Sequence, residues 1–185
     1  MRLIPRDSLV AVPWKNGGGI TRQIACFPDG SGMSDFDWRI STAEVSEDGP
    51  FSRFEGVDRR LYILEGGGLD LRFASQDTKR LLTGEHLDFP GEAEVFGGLV
   101  DGAVSDLNIM VRRGRHRMRA GALGIDGATT IHHGWGAAAL FVLSGEITVM
   151  DEMARRFDTL LFDAAGDAAV SGTAEALLIG FEALC

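Results

Sequence analysis

Short stretches with a two-residue hydrophobic period, separated by glycine-containing turns, follow one another along most of this chain. The sequence has 25 glycines in 185 residues and few segments in which apolar residues recur at helical spacing. Successive side chains of a strand point to opposite faces, so this period predicts strands, and glycine suits the tight turns between them. Regular strand spacing is typical of a sandwich or barrel, whereas alternating strands and helices would indicate a parallel sheet. The chain is therefore predicted to be all-β.

One hairpin pattern occurs twice in the sequence. LYILEG at residues 61–66 matches LFVLSG at residues 140–145, which lies 79 positions later (140 minus 61), and each is followed by a second strand, a turn and a third strand. Two jelly rolls of the cupin type would account for this order, because such folds bury alternate residues and hold ligands inside the barrel. The alternative is a chance resemblance of two ordinary hairpins. We predict two cupin-like jelly-roll halves in one chain, residues 1–115 and 116–185, packed as one globular unit.

Charge and hydropathy argue against several classes of protein. The formal net charge is −9 with the acidic residues dispersed, so nucleic acid and anionic membranes would be repelled overall. No apolar run is long enough to span a membrane, and the first residues lack the apolar core of a signal peptide. Cys26 lies in a predicted strand and Cys185 is the last residue, a placement that does not suggest a disulfide. We expect a cytoplasmic protein with no nucleic-acid or membrane partner, and free sheet edges leave a homodimer open.

Basic residues are concentrated in one short segment. Five arginines and one histidine fall between residues 112 and 119. Such a run can bind an anionic partner, or it can be a solvated edge that charge protects from aggregation.

The histidines do not have the spacing of a metal-binding cupin. The usual first motif has two histidines one residue apart and then a glutamate, and residues 54–64 contain no histidine. His132 and His133 are adjacent, so their side chains leave a strand on opposite faces, and the other two histidines are isolated. We therefore predict no metal and no other cofactor.

The segment VPWKNGGGITR at residues 12–22 joins two cations to an amide and three glycines. Glycine lets backbone N–H groups approach a ligand closely, so the segment could capture a carboxylate or a phosphate. It could equally be a turn ahead of a strand, with its cations in solvent. It lacks the Lys-Ser/Thr pair of a phosphate-binding P-loop. The candidate ligand-binding residues here are Lys15, Asn16, Gly17, Gly18, Thr21 and Arg22.

Polar residues share one face on two further predicted strands. Arg39 and Ser41 alternate with apolar neighbours, and so do Asp106 and Asn108. A planar guanidinium beside a hydroxyl suits a carboxylate, and an amide can donate to a ligand oxygen. Asp106 could instead be a buried structural anchor. Arg59 lies where a cupin places a metal ligand, so its charge could replace the metal ion, although it could also pair with a surface carboxylate.

Four ordered motifs support a family resemblance. They are PWKNGGGxTR at 13–22, WRISxAxV at 38–45, GPFSxFxGVDR at 49–59 and DxNxMxRRG at 106–114. In these motifs the chain closely resembles the HutD/Ves family of bacterial proteins. The resemblance implies a metal-free two-cupin protein that is associated with the histidine-utilisation operon and has no established catalytic activity. It also implies binding of a small metabolite such as urocanate or a formylated or formiminated glutamate, and a moderating role in the pathway.

Two functions from different classes follow. The first is a non-catalytic protein that captures a small carboxylate with the residues named above. The second is a metal-independent cupin enzyme, an isomerase or a hydrolase, with Asp106 or Glu44 as general base and Lys15 as electrostatic stabiliser. No Ser-His-Asp, Cys-His or paired-carboxylate spacing supports the second.

Overall fold

A computed structural model describes residues 1–75 and 77–184, and it divides the chain into two compact units. The first unit is Val10–Arg115, and the second unit is Met1–Leu9 together with His116–Cys185. Cys185 itself lies outside the described residues, and Cys26 is a buried free thiol. Among the described residues the only helical element is a 3-10 turn at Arg6–Ser8.

The rest of the ordered backbone forms sixteen strands. They are β1 (Arg2–Ile4), β2 (Ala11–Pro13), β3 (Gly19–Phe27), β4 (Trp38–Val45), β5 (Gly49–Pro50), β6 (Val57–Glu65), β7 (Leu69–Phe73), β8 (Thr78–Leu81), β9 (His86–Pro90), β10 (Val95–Leu99), β11 (Val104–Arg112), β12 (His116–His133), β13 (Ala137–Val149), β14 (Glu152–Arg155), β15 (Thr159–Phe162) and β16 (Gly166–Ala183). No described helix is long and apolar enough to cross a membrane.

The first unit is a sandwich of two antiparallel sheets. The larger sheet has the order β2-β3-β4-β11-β6-β9, and the smaller has the order β5-β10-β7-β8. Alternate apolar residues of both sheets form one buried cluster, which includes Leu61 and Ile63 from β6, Leu71 from β7 and Val95 from β10. The period-two pattern in the sequence therefore places these residues in the interior between the two sheets.

The second unit is built on one sheet with the order β1-β15-β13-β16-β12, in which β14 also pairs with β13. β12 and β16 have 18 residues each and pair over their full lengths, so they are longer than the short strands expected from the sequence. Their alternate residues join β13 and β15 in a buried apolar cluster that includes Ile131, Leu140, Leu160 and Val170.

The first nine residues lie in the second unit, whereas the sequence-based boundary placed them in the first. Ile4 of β1 pairs with Thr159 of β15, and the backbone N–H of Arg6 donates to Asp158 Oδ1 at 2.8 Å. Such pairing joins residues more than 150 positions apart, and no local pattern in the sequence encodes it.

Close strand packing explains why both copies of the repeated hairpin motif end in glycine. Gly66 and Gly145 occupy the same position in the two copies and have φ values of 100° and 77°. A Cβ at Gly66 would lie 2.4 Å from the carbonyl oxygen of Ala103, and one at Gly145 would lie 2.0 Å from that of Thr173. Both copies therefore need glycine because a neighbouring strand passes too close for any side chain.

The arginine-rich segment forms internal ion pairs and hydrogen bonds. Arg112 Nη2 donates to the carbonyl of Ser34 at 2.8 Å, and Arg115 Nη1 lies 2.7 Å from Asp37 Oδ1. Arg113 pairs with Asp58 at 2.9 Å. The sequence indicated an anion site or a solvated edge for this segment and did not predict these internal contacts.

Candidate functional site

The larger sheet of the first unit carries a cluster of polar side chains on its inner face. In the register of β4, β11 and β6, Arg39 lies opposite Met110, and Met110 lies opposite Arg59. Two residues further along β11, and so on the same face, Asn108 lies between Ser41 and Leu61. Because Leu61 belongs to the apolar core, the same face brings the two arginines into the interior of the sandwich.

Arg39 is buried and held by two side chains. Its Nε donates to Gln23 Oε1 at 2.9 Å, and its Nη1 donates to Ser41 Oγ at 2.9 Å. Burial lowers the pKa of Arg39, and Cys26 on β3 partly opposes that shift. Arg39 has no carboxylate partner among the described salt bridges, so its positive charge is held by neutral groups.

Arg59 is buried to the same extent as Arg39, with 5 % of its surface exposed. Its Nη1 donates to the carbonyl of Ser52 at 3.2 Å, and its Nη2 donates to Asn108 Oδ1 at 2.6 Å. Three phenyl rings lie against the guanidinium, with centroids 5.4, 5.5 and 5.0 Å from its carbon: Phe51, Phe54 and Phe89. The Nε–H is buried and has no hydrogen-bond partner within the described part of the chain.

Asp106 is the carboxylate of this interior, and 1 % of its surface is exposed. Its Oδ1 accepts a hydrogen bond from Asn108 Nδ2 at 2.6 Å, so Asn108 bridges Arg59 and Asp106. Burial raises the pKa of Asp106 to about 7, against the opposing effects of the Arg59 charge and the Asn108 hydrogen bond. Burial likewise lowers the pKa of Arg59 to about 10, which the Asp106 charge opposes and the Arg39 charge reinforces.

The cluster carries a net charge of one positive when all three groups are ionised, since two guanidiniums face one carboxylate. A buried donor without a partner costs about 1–3 kcal/mol, and a buried charge costs more. An anion that accepts a hydrogen bond from Arg59 Nε would remove the cost of the unpaired donor and reduce the cost of the buried charge. The arrangement is therefore chemically suited to a small carboxylate.

The glycine-rich turn uses its own backbone donors. Gly17 N donates to the carbonyl of Trp14 at 3.1 Å, and Gly18 N donates to Asn16 Oδ1 at 3.2 Å. A Cβ at Gly19 would lie 2.5 Å from the carbonyl oxygen of Glu44, so close strand packing accounts for that glycine. Lys15 is exposed. The turn therefore has the conformation of a structural hairpin, and these donors are not free for an anion.

Thr21 and Arg22 fall on opposite faces of β3. Thr21 lies opposite Ala43 on the face of the arginine cluster, where its Oγ1 accepts from Trp14 Nε1 at 2.7 Å. Arg22 lies on the other face and pairs with Glu44 at 2.6 Å. Of the predicted site residues, the structure brings these together: Arg39, Ser41, Arg59, Asp106 and Asn108, with Thr21 on the same face. The remaining five lie in the turn or behind the sheet: Lys15, Asn16, Gly17, Gly18 and Arg22.

Arg22→Ala is expected to leave the affinity for a carboxylate unchanged, because Arg22 contacts Glu44 on the face away from the cluster. The free energy of unfolding should fall by less than about 1 kcal/mol, as is usual for a partly exposed ion pair. Isothermal titration calorimetry and urea unfolding measure both quantities. A tenfold loss of affinity would show that the anion binds behind the sheet.

Four cluster residues were not among the sequence candidates: Gln23, Phe51, Phe54 and Phe89. Gln23 follows Thr21 at the two-residue period and was detectable as a member of the same face. Phe51 and Phe54 stand in the third motif quoted above. Phe89 reaches Arg59 only through the pairing of β6 with β9, which the sequence does not reveal.

His132 and His133 are adjacent on β12, and their side chains point in different directions. His132 Nδ1 lies 2.8 Å from Asp167 Oδ1 near the surface, while His133 packs against the ring of Phe162 with centroids 4.5 Å apart. Within residues 1–75 and 77–184, no three His, Cys, Asp or Glu side chains are grouped so as to hold a metal ion.

Comparison with known proteins decides the family. The model of the HutD family matches residues 6–178. The chain belongs to the HutD family. It is 33% identical over 149 residues to an uncharacterised 21.2 kDa protein in the hutC 3′ region of Pseudomonas putida, covering 80% of this chain and 77% of that protein. It is 36% identical over 141 residues to protein Ves of Citrobacter koseri, covering 76% of this chain and 71% of that protein.

Solved structures confirm the predicted fold. HutD from Pseudomonas fluorescens SBW25 superposes with a TM-score of 0.88 at 29% identity, covering 100% of this chain and 99% of that one. A cupin 2 conserved barrel protein from Leptotrichia buccalis has a TM-score of 0.61 at 14% identity, covering 92% of each chain, which shows likeness of fold alone. Membership of the HutD family and the all-β cupin fold, both predicted from the sequence, are therefore confirmed.

Proposed function

We propose that this member of the HutD family is a non-catalytic protein that captures a small carboxylate in its first unit. The observation that carries the proposal is the buried Arg59 side chain, whose Nε–H has no hydrogen-bond partner among residues 1–75 and 77–184. The second guanidinium, Arg39, lies on the same face and adds charge that Asp106 does not balance. A carboxylate supplies both the missing acceptor and the missing negative charge.

The guanidinium and its surroundings favour a carboxylate over a spherical anion. A guanidinium is planar and presents parallel N–H donors that match the two oxygens of a carboxylate. The three phenyl rings around Arg59 contact the guanidinium and contribute cation–π attraction. Urocanate, N-formylglutamate and N-formiminoglutamate all carry such a group, and formate is its smallest form. The related HutD of Pseudomonas fluorescens was solved in a formate condition.

The proposed role in histidine utilisation rests on kinship. The chain belongs to the HutD family, and the Pseudomonas putida relative is named for its position beside hutC. We propose that the protein lowers the free concentration of a carboxylate of this pathway and so moderates it.

A thermal-shift screen tests the capture of a carboxylate. The panel is urocanate, N-formylglutamate, N-formiminoglutamate and formate, with the neutral amide of urocanate as the matched control. A ligand that binds only the folded protein at 100 times its Kd stabilises it by about 2.7 kcal/mol. We expect at least one carboxylate to raise the Tm and the amide to leave the Tm unchanged. No shift with any carboxylate, or an equal shift with the amide, would contradict the proposal.

The structure also offers one observation in favour of the second candidate, a metal-independent cupin enzyme. The pKa of Asp106, raised by burial to about 7, suits a general base near neutral pH. Glu44, the other candidate base, lies behind the sheet in its pair with Arg22, so it does not share this interior. Incubation of the protein with each binding carboxylate, followed by proton NMR, separates the candidates. An unchanged spectrum supports capture, and a product that disappears in Asp106→Asn would establish the enzyme.

A further inference from the structure

We infer that capture of a carboxylate by Arg59 is coupled to the uptake of one proton by Asp106. The inference rests on the proposed function, because it concerns the same site. The proton comes from the solvent and adds to the carboxylate of Asp106, and no covalent bond of the ligand changes.

The coupling follows from a short chain of buried groups. Arg59 Nη2 donates to Asn108 Oδ1 at 2.6 Å, and Asn108 Nδ2 donates to Asp106 Oδ1 at 2.6 Å. All three residues are buried, with 5, 7 and 1 % of their surfaces exposed. Charges in such an interior are weakly screened, so each one strongly influences the others.

A bound carboxylate changes the surroundings of Asp106 in one direction. The charge of Arg59 is a main favourable influence on the Asp106 carboxylate, which burial already disfavours. A ligand that neutralises Arg59 weakens that influence and adds a second negative charge to the same interior. Arg59 is the cation whose charge stabilises ionised Asp106, so a bound carboxylate competes with Asp106 for that one guanidinium in a low-dielectric site, and Asp106 takes the proton.

The other charged groups that face this interior do not take its place as proton acceptors. β4 contributes Arg39 and β6 contributes Arg59, both of which are cations at neutral pH. β3 contributes the Cys26 thiol beside Arg39. The smaller sheet contributes apolar side chains such as Leu71 and Val95. Asp106 is thus the carboxylate that responds to the ligand.

Affinity should therefore depend on pH with a definite sign. Below the pKa of Asp106, the carboxyl is already protonated, so the ligand binds without proton uptake. Above it, binding must draw in a proton, and affinity falls by up to tenfold per pH unit until the ligand-bound pKa is passed. With a pKa of about 7, Asp106 is largely ionised in the free protein at pH 7.5, so proton uptake should be measurable there.

Calorimetric titration with urocanate counts the protons. The binding enthalpy is measured at pH 7.5 in bis-tris, triethanolamine and Tris, which differ in ionisation enthalpy, with the same chloride concentration in all three. The dependence of the binding enthalpy on the buffer ionisation enthalpy gives the number of protons. We expect clear proton uptake at pH 7.5. At pH 5.8 the ring of urocanate itself titrates, so formate is used instead, in bis-tris and pyridine buffers, and its binding should show an uptake near zero.

Two variants assign the proton to Asp106. Asp106→Asn resembles the protonated side chain and keeps an oxygen that can accept from Asn108, so it should bind urocanate with no proton uptake and no pH dependence above 7. Asp88→Asn removes a carboxylate from the neighbouring strand β9, where it pairs with Arg60, and should retain the uptake. Binding by wild type without proton uptake would overturn this inference and leave the proposed function standing. Absence of binding by wild type would overturn both.

Discussion

Arg59→Ala is expected to weaken binding of urocanate by about 1.5–3 kcal/mol, or roughly 10- to 150-fold, as measured by titration calorimetry. The range is that of a hydrogen bond to a charged group. The variant removes the buried Nε–H that we assign to the ligand and the charge that attracts it. Arg39→Ala should cause a loss in the same range, since it removes the other cation of the inner face.

Lysine variants at both positions distinguish recognition by the paired donors of a planar guanidinium from simple attraction to a positive charge. Arg59→Lys and Arg39→Lys keep the positive charge and lose the parallel donors, so they should recover part of the lost affinity. Arg80→Ala is the matched control, because Arg80 is exposed on β8 and pairs with Asp70. Circular dichroism verifies that each variant is folded. Unchanged affinity in both alanine variants would show that these arginines are structural.

Asp106→Asn is expected to make the protein more stable at alkaline pH than wild type. A carboxyl whose pKa is raised on folding contributes stability below its unfolded pKa, and that contribution is lost as the pH rises through the folded pKa. Because the ordinary pKa of an aspartate is 3.8 and the pKa of folded Asp106 is about 7, the loss falls between about pH 4 and pH 7. Between pH 5 and pH 8, wild type should lose about 3 kcal/mol relative to the variant.

Urea unfolding of the two proteins at pH 5 and pH 8 measures this difference. Asp88→Asn serves as the control, because Asp88 is partly exposed on β9, which is separated from the strand of Asp106 by β6. An Asp106→Asn variant whose stability relative to wild type is the same at both pH values would show that Asp106 is ionised with little cost in the folded protein. In that case burial would not disfavour the charge of Asp106, and the proton uptake assigned to it would lose its physical cause.

The sequence predicted the faces of the central strands because those depend on a local rule. Arg39 and Ser41 are two residues apart, and so are Asp106 and Asn108, and alternation alone places each pair on one face. The repeated motif predicted the jelly rolls because Gly66 and Gly145 meet the same steric demand in both copies. The two-residue hydrophobic period and the glycine positions were therefore sufficient to predict the fold class.

The sequence could not predict which of the two faces of each strand lies towards the interior of the sandwich. Arg22 and Thr21 are adjacent and equally polar, yet only Thr21 faces the cluster, because the pairing of β3 with β4 determines the face. Phe89 reaches Arg59 through another non-local pairing. The glycine-rich turn looked like an anion site because its donors are chemically suitable, and only the structure shows that Trp14 and Asn16 already accept from them.

The central claim is that the ligand carboxylate binds inside the first unit at Arg59, and a crystal structure of the protein with urocanate tests it most directly. We predict a carboxylate oxygen within hydrogen-bond distance of Arg59 Nε, with Arg39 on the same side of the ligand. The glycine-rich turn should keep its internal hydrogen bonds. A urocanate bound at Lys15 and Arg22, with Arg59 Nε still without an acceptor, would contradict the account.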